Sequence, residues 1–154
     1  MGFYSEDAYK SSANDTWTTP GDLYNKLNGE FNFGLDAAAM KSSTLVADNW
    51  YGPDHEDITR RDAFTRNWAD DAVGKTIWLN PPYGRSIKTW TNKSVQENRG
   101  GGAIVLLVPA RTDTSWWHDH LIKHEIRFIR GRLKFGNQKN PAPFPSAIVV
   151  MRGK

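Results

Sequence analysis

The sequence predicts one α/β domain with three layers, in which helices cover both faces of a β-sheet. Segments of strand length alternate with segments of helical length along most of the chain, which is typical of this architecture. The continuous apolar run of residues 103–108 indicates a strand that is covered on both faces. Two further apolar segments, residues 125–129 and 147–151, follow late in the chain with a proline-rich loop between them. A length of 154 residues suits a single domain with a sizeable core.

The chain begins with a polar, acidic segment that is not expected to act as a signal peptide. Residues 1–15 are expected to form a loose lead-in to a domain that spans residues 16–154. Thr19 and Pro20 predict the N-cap and the first position of a short helix, because proline suits the first helical turn.

The first strand is predicted from an alternating pattern. Phe31, Phe33 and Leu35 alternate with small or polar residues, which indicates a strand that ends at Asp36. The polar, turn-rich residues 40–57 predict a loop with at most a short helix.

The middle of the chain supplies the remaining helices. Residues 59–68 predict one or two helical turns, and residues 75–79 predict a strand. Residues 86–98 predict a helix that the glycines at 100–102 terminate, and residues 113–123 predict another.

Three residues follow predicted strands and are therefore expected to lie near one another. These residues are Asp36, Asn80 and Pro109. Ligands of open α/β sheets bind at the carboxyl ends of the strands, so the three residues predict one ligand crevice.

Composition excludes several classes of protein. The chain contains no cysteine, which excludes disulfides, thiolate metal sites and cysteine nucleophiles. Methylation of cytosine C5 proceeds through a cysteine and is excluded with them, whereas methylation of an amine needs no protein nucleophile. No apolar run approaches the ~20 residues of a membrane span.

Charge is unevenly distributed along the chain. Residues 1–72 carry six Lys and Arg against 13 Asp and Glu, for a net charge of −7. Residues 73–154 carry 14 against four, for a net charge of +10. A basic second half suits a phosphate-binding face, and a solvated surface with interleaved charges is the alternative.

The motif Asn80-Pro81-Pro82-Tyr83 follows a predicted strand and carries the chemistry. The amide oxygen of Asn80 and the carbonyl of Pro81 can accept hydrogen bonds from an exocyclic base amine, and the prolines fix the backbone that presents them. Tyr83 can stack on the same base, a contact worth roughly 1–3 kcal/mol. A stiff turn without catalytic function is the alternative, because short motifs give false positives.

The chain resembles the phage-type DNA N6-adenine methyltransferases, a small Dam-like family that uses S-adenosylmethionine. The resemblance covers roughly residues 15–152 and rests on six landmarks in family order. They are Trp17-Thr18-Thr19-Pro20, Phe33-Gly34-Leu35-Asp36-Ala37-Ala38, Asn80-Pro81-Pro82-Tyr83-Gly84, Leu107-Val108-Pro109-Ala110-Arg111-Thr112-Asp113, Trp116-Trp117-His118-Asp119 and Gly131-Arg132-Leu133-Lys134-Phe135. It implies a Rossmann-like methyltransferase fold with a mixed sheet and late antiparallel strands.

The resemblance also implies roles for five residues in binding S-adenosylmethionine, which is released as S-adenosylhomocysteine. Thr19 and Pro20 match the segment that contacts the methionine end of the cofactor, and a plain helix start is the alternative. Asp36 matches the acidic residue near the cofactor's amino acid moiety or ribose. Asp62 and Phe64 resemble a stretch that contacts the cofactor adenine, and a capped helical turn with a core phenylalanine is equally compatible with them.

The implied partner is DNA, with methyl transfer to a flipped adenine held by the catalytic residues Asn80, Pro81, Pro82 and Tyr83. The candidates for DNA contact are Arg85, Lys88, Arg111, Arg130, Arg132, Lys134 and Phe135. A charged outer face of an edge hairpin is the alternative for the last four. We expect no metal, no membrane association and a phage or prophage protein in the host cytoplasm, and we make no prediction of the oligomeric state.

The sequence departs from the pattern of related enzymes in one place. Related enzymes have a glycine-rich turn after the first strand, where this chain has Ala37-Ala38-Ala39. Alanine resists a positive φ, so the turn predicts an open or weak cofactor pocket. A non-catalytic DNA-binding protein derived from a methyltransferase is the alternative that this turn suggests. A glutamine-N5 protein methyltransferase is a second alternative, because those enzymes share the four-residue motif. The missing glycine-rich turn and the basic second half argue against it.

Overall fold

A computed structural model describes residues 17–154, so the predicted lead-in lies outside the described residues. Its centre is a five-stranded mixed sheet with the order β1-β2-β3-β5-β4. The strands are β1 (Phe33–Asp36), β2 (Thr76–Leu79), β3 (Ile104–Pro109), β4 (Glu125–Phe128) and β5 (Ser146–Met151). β1, β2 and β3 are parallel, and β5 is antiparallel to both of its neighbours, β3 and β4. β4 therefore runs in the same direction as the first three strands, and its end reaches the same edge of the sheet.

Helices cover both faces of this sheet, as predicted. They are α1 (Gly21–Phe31), α2 (Trp68–Ala72) and α3 (Ile87–Arg99), with 3-10 turns at Ile58–Arg60 and Ala63–Thr65 and a π-helix at Trp117–Leu121. On one face, the ring of Trp78 in β2 contacts Tyr24 of α1 at 5.6 Å between centroids. On the other face, Ile77 lies close to α2 beside Gly102. The mixed α/β architecture is therefore confirmed, and every residue of β3 is buried, as its continuous apolar run predicts.

The start of α1 differs from the prediction by one residue. Pro20 occupies the N-cap position with extended backbone angles, and the helix begins at Gly21. Thr19 precedes the cap and does not supply a capping side chain. Its hydroxyl oxygen instead accepts a hydrogen bond from the Asn80 side chain, a tertiary contact that local sequence signals do not reveal.

The end of α1 was also predicted wrongly. Phe31 belongs to the helix rather than to the first strand. Asn32 then closes the helix in the left-handed conformation, with φ of 55°, and its N–H donates to the carbonyl of Asn28. The alternation of Phe31 and Phe33 therefore reflects two rings that pack together across a helix end, with centroids 6.1 Å apart.

Two other predictions have mixed outcomes. Residues 40–57 contain no helix, as the loop prediction expected. The helix predicted over residues 113–123 is reduced to the π-helix Trp117–Leu121 with a short helical turn before it. A π-helix has wider turns than an α-helix. The N–H of Ile122 closes this one by donating to the carbonyl of Trp117, five residues earlier, at 2.9 Å.

Candidate functional site

Asp36 and Asn80 line one cavity of about 120 Å³ at the carboxyl edge of the sheet. The parallel register of β1 and β2 sets Asp36 beside Trp78, and Asn80 follows at the end of β2. The N–H of Ala37 donates to the carbonyl of Trp78 at 3.0 Å and continues the pairing beyond the strand. The predicted meeting of Asp36 and Asn80 is therefore found in the structure. Pro109 ends β3 as predicted, but it does not line this cavity.

The side-chain amide of Asn80 has a fixed orientation. Its Nδ2 donates to the carbonyl of Trp17 at 2.6 Å and to Oγ1 of Thr19 at 3.0 Å. A carbonyl oxygen only accepts hydrogen bonds, so the nitrogen rather than the oxygen must face Trp17. The opposite atom, Oδ1, is buried and has no hydrogen-bond partner among the described residues. Buried acceptors are normally paired, so this oxygen is suited to accept a hydrogen bond from a ligand that enters the cavity.

Asp36 is a buried carboxyl group without a cationic partner among the described residues. Its oxygens accept hydrogen bonds from the backbone N–H groups of Leu45 at 3.0 Å and Ala38 at 3.4 Å. Burial raises the pKa of Asp36 to about 7, and these two hydrogen bonds oppose the rise. The side chain is therefore divided between neutral and ionised forms near neutral pH. A cationic ligand in the cavity would favour the ionised form.

The Ala37-Ala38-Ala39 segment is unstrained. Asn32 and Val73 are the non-glycine residues with positive φ in the described part of the chain, so none of the three alanines needs a left-handed backbone. The segment bends after Asp36 and still pairs with residues 49–52: the N–H of Tyr51 donates to the carbonyl of Asp36, and the N–H of Ala39 donates to the carbonyl of Tyr51. Alanine is compatible with this conformation, so the absence of a glycine-rich turn does not strain the cavity wall.

Gly52 allows a close backbone contact with the alanine segment, which the sequence did not indicate. A Cβ atom at this position would lie 1.9 Å from the carbonyl oxygen of Ala39. Only a residue without a side chain allows the two segments to approach so closely. A single glycine within a polar loop has the appearance of an ordinary turn residue, so no sequence signal distinguished it.

Tyr83 and Phe135 lie together in a buried aromatic cluster. The hydroxyl of Tyr83 donates to the carbonyl of Leu107 at 3.3 Å, and burial raises the pKa of its phenol. The ring of Trp17 is stacked against Tyr83 at 6.4 Å and makes edge contacts with Phe135 and Phe144. The structure thus brings the two predicted base-contacting rings together, and both are covered in this conformation.

Asp62 and Phe64 lie away from the cavity of Asp36. Asp62 caps a 3-10 turn by accepting the N–H of Phe64 at 3.0 Å, which is the capped turn considered as an alternative. The ring of Phe64 packs on Trp90 of α3 and lines a second cavity of about 510 Å³, between α3 and the π-helix. Lys88 lines the same second cavity. The structure does not bring these residues to Asp36, and their role in ligand binding stays a prediction.

The predicted DNA-contacting cations share two properties. They are exposed, and within residues 17–154 they form no ion pair; they are Arg85, Lys88, Arg111, Arg130, Arg132 and Lys134. All but Lys88 lie within six residues after the end of β2, β3 or β4, whose ends share one edge of the sheet. Arg111 does not pair with a neighbouring aspartate, and its guanidinium lies 5.8 Å from the ring centre of Phe144.

Two other arginines of the basic half have acidic partners. Arg127 in β4 pairs with Glu30 and Glu125, and Arg152 pairs with Glu125. Exposed cations without acidic partners are also found elsewhere in the described residues, for example at Lys75 and Arg99. The five that follow the strand ends on the edge of Asp36 and Asn80 are called the positive rim below: Arg85, Arg111, Arg130, Arg132 and Lys134. None of them lines the cavity itself.

The histidines of the described residues do not form a metal site. No group of three or more histidine, aspartate or glutamate side chains there is arranged to hold a metal ion. Nδ1 of His120 forms a hydrogen bond of 2.7 Å with the hydroxyl of Thr91. Nε2 of His118 forms one with the carbonyl of Thr112, so both histidines have structural partners. None of the described helices has the length and apolarity needed to cross a bilayer.

Comparison with known proteins identifies similar chains. The family model for DNA N-6-adenine-methyltransferase (Dam) matches residues 6–151, nearly the whole chain. A DNA N-6-adenine-methyltransferase of Escherichia phage T1 is 29% identical over 104 residues, which are 67% of this chain and 39% of the relative. A DNA N-6-adenine-methyltransferase of Haemophilus phage HP1 is 27% identical over 135 residues, 84% of this chain and 71% of the relative. The matched region thus spans about two fifths of the phage T1 protein and about seven tenths of the phage HP1 protein.

Proposed function

Because the chain belongs to the Dam family of DNA N-6-adenine methyltransferases, we propose that it transfers a methyl group from S-adenosylmethionine to N6 of adenine in DNA. The observation that carries this proposal is the buried, unpartnered Oδ1 of Asn80 in the cavity that also holds Asp36. We assign the sheet, with its reversed strand β5, to the Rossmann-like methyltransferase fold. Phage relatives support the host cytoplasm as the place of action.

Asn80 is proposed to hold the adenine amine. The lone pair of that nitrogen is delocalised into the ring, which makes it a poor nucleophile. Hydrogen bonds from the amine to Oδ1 of Asn80 and to the carbonyl of Pro81 favour a tetrahedral nitrogen with an available lone pair. Since the amide of Asn80 is already fixed by Trp17 and Thr19, little reorganisation is needed at the moment of reaction.

The cofactor is proposed to occupy the cavity beside Asp36, where the bound sulfonium compound supplies the electrophilic methyl group. The ionised carboxylate of Asp36 suits its positively charged methionine end, and Trp78 and Pro53 supply apolar walls. The cavity of about 120 Å³ is smaller than the roughly 300–1,000 Å³ of typical ligand pockets. Binding is therefore proposed to widen the cavity at the loop that carries Met40 and Ser43, which line it.

The flipped adenine is proposed to stack on Tyr83, with Phe135 on the other side of the base. Trp17 covers the Tyr83 ring in this conformation, so the aromatic cluster must open for a base to enter. Stacking of roughly 1–3 kcal/mol would offset part of the few kcal/mol needed to flip the base. The positive rim is proposed to hold the phosphate backbone, with Arg85 after β2, Arg111 after β3 and Arg130 on the loop after β4.

Two measurements test the proposed function. Sequencing of modified bases, in DNA from a methylation-deficient host that expresses the protein, should detect N6-methyladenine. The variant Asn80→Ala should abolish this signal while its affinity for S-adenosylmethionine, measured by calorimetry, stays within about threefold of the wild type, because the base acceptor is lost but Asp36 and the apolar walls of the cavity remain.

Other outcomes would favour the alternatives. Methylation of glutamine in a peptide, with no methylation of DNA, would assign the chain to the glutamine methyltransferases. DNA affinity without any binding of S-adenosylmethionine would indicate a non-catalytic DNA-binding protein. The main reason to consider that second alternative was the alanine segment after β1, which proves to be unstrained.

A further inference from the structure

We infer that Thr19 is a positioning residue for the amide of Asn80 and does not contact the cofactor. This inference rests on the proposed function, in which Oδ1 of Asn80 holds the adenine amine. It replaces the role in cofactor binding that family resemblance implies for Thr19. The difference matters because a positioning residue controls the rate of methyl transfer, whereas a cofactor contact controls affinity.

The location of Thr19 favours positioning. Its side chain is buried, with 8% of the residue surface exposed, and it does not line the cavity. The two preceding residues, Trp17 and Thr18, do line it. The polar atom of the Thr19 side chain lies 3.0 Å from Nδ2 of Asn80, on the side of the amide opposite to Oδ1.

The hydrogen bonds specify one of the two possible amide orientations. Nδ2 of Asn80 carries two N–H donors, and the carbonyl of Trp17 and the hydroxyl of Thr19 accept them. Rotation of the amide by 180° would place Oδ1 against the carbonyl of Trp17, where two acceptors would face each other. It would also leave the buried N–H donors pointing towards the site of the base. The carbonyl of Trp17 therefore selects this orientation, because it can only accept, and the hydroxyl of Thr19 stabilises it by accepting the second N–H.

The segment that carries these acceptors is itself held firmly. The N–H of Gly136 donates to the carbonyl of Thr18 at 2.9 Å, and the N–H of Thr18 donates to Oδ1 of Asn137 at 3.1 Å. The indole of Trp17 packs edge-on against Phe135 and Phe144. Thr19 is thus fixed on both sides along the chain. Trp17 and Thr18, which precede it, contact the loop after β4, and helix α1 begins two residues after it. An acceptor on a rigid segment orients its donor before the substrate arrives.

The first experiment compares Thr19→Val, which removes the acceptor at nearly constant volume, with Thr19→Ser, which keeps it. Single-turnover methylation by Thr19→Val is expected to slow by about tenfold or more, because one oriented hydrogen bond is lost. Its dissociation constant for S-adenosylmethionine should stay within about twofold of the wild type, and Thr19→Ser should restore most of the rate.

A matched control separates positioning from a general loss of packing. Thr91→Val removes another buried threonine hydroxyl, which contacts His120 on the far side of α3. This control should lower the melting temperature without slowing single-turnover methylation. A Thr19→Val enzyme that binds S-adenosylmethionine weakly but transfers methyl at the normal rate when saturated would place Thr19 in the cofactor site and overturn the inference. Normal rate and normal affinity would overturn it as well.

The second experiment needs no activity, so it separates this inference from the proposed function. In the nitrogen–proton spectrum of the free protein, the side-chain amide of Asn80 is identified by its loss in Asn80→Ala. Both side-chain amide protons of Asn80 should exchange with solvent more slowly than the side-chain amide protons of the exposed Asn25. In Thr19→Val, one of the two Asn80 protons should exchange faster than in the wild type. Equal exchange for Asn80 and Asn25 would refute the fixed amide even if DNA is methylated. Failure of the wild type to methylate DNA, with the protection present, would reject the proposed function and retain the positioning.

Discussion

The carboxyl group of Asp36 and the amide of Asn80 lie in the walls of one cavity because the strands that end at these residues are parallel neighbours. The two groups differ in their electrostatic state. Asp36 is a buried acid whose pKa is raised to about 7, and Asn80 is a neutral acceptor with an unpaired oxygen. A cationic methyl donor suits the first group and a base amine suits the second. The proposed reaction requires these two partners to meet, and the register of β1 and β2 places their binding groups together.

The affinity for S-adenosylmethionine should depend on pH through Asp36. The positively charged methionine end favours the ionised carboxylate, which is half populated at the pKa of about 7. The dissociation constant measured by calorimetry is therefore expected to rise as the pH falls below 7, by up to about tenfold per pH unit. Asp36→Asn should bind weakly with no such dependence between pH 5.5 and 7.5. An identical pH profile in the wild type and the variant would show that Asp36 does not bind the charged end.

The stability of the free protein should depend on the same carboxyl group, with a defined sign. The pKa of Asp36 is about 7 in the folded protein and about 3.9 in an unfolded chain, so folding favours the protonated form. The stabilisation is complete below about pH 4 and is lost as the pH rises through 7. Asp36→Asn does not titrate. Its free energy of unfolding, measured with urea relative to the wild type, should therefore increase by about 2–3 kcal/mol from pH 5 to pH 8. A constant difference would mean that Asp36 is ionised throughout this range.

Sequence patterns located this site because its main elements are local. The strand before Asn80 and the strand before Asp36 can both be predicted from short apolar segments, and parallel strands bring their carboxyl ends to one edge. The same reasoning placed Pro109, and with it the segment that carries Arg111, at the end of the next strand. These predictions needed no knowledge of which side chains touch.

The features that the sequence did not reveal depend on contacts between distant segments. Thr19 has the pattern of a helix cap, but Asn80, far along the chain, uses its hydroxyl. Gly52 resembles a turn residue until the carbonyl of Ala39 is seen beside it. Phe31 continued a strand-like alternation although it ends a helix, because its packing partner is Phe33. Local propensity is weak wherever such a tertiary contact competes with it.

A side chain at Gly52 should damage the cavity wall. In Gly52→Ala, the new Cβ would meet the carbonyl oxygen of Ala39 at 1.9 Å, so one of the two paired segments must move. We expect a loss of about 1–3 kcal/mol in the free energy of unfolding and weaker binding of S-adenosylmethionine. Gly29→Ala is the matched control, since nothing lies within 4 Å of a Cβ at that exposed helical position. The control should instead gain about 0.5–1 kcal/mol. Equal stability of the two variants would refute the close approach.

The cations of the positive rim should bind phosphate, and their removal should change the salt dependence of DNA binding. The affinity of the double variant Arg130→Ala and Arg132→Ala for duplex DNA is expected to fall, with the slope of log affinity against log salt reduced by about one for each lost contact. Arg152→Ala removes a charge that is equally exposed but pairs with Glu125 at the opposite end of β5. It should leave the slope unchanged. If the slope of log affinity against log salt falls in Arg152→Ala, or does not change in the double variant, the DNA must bind elsewhere on the molecule.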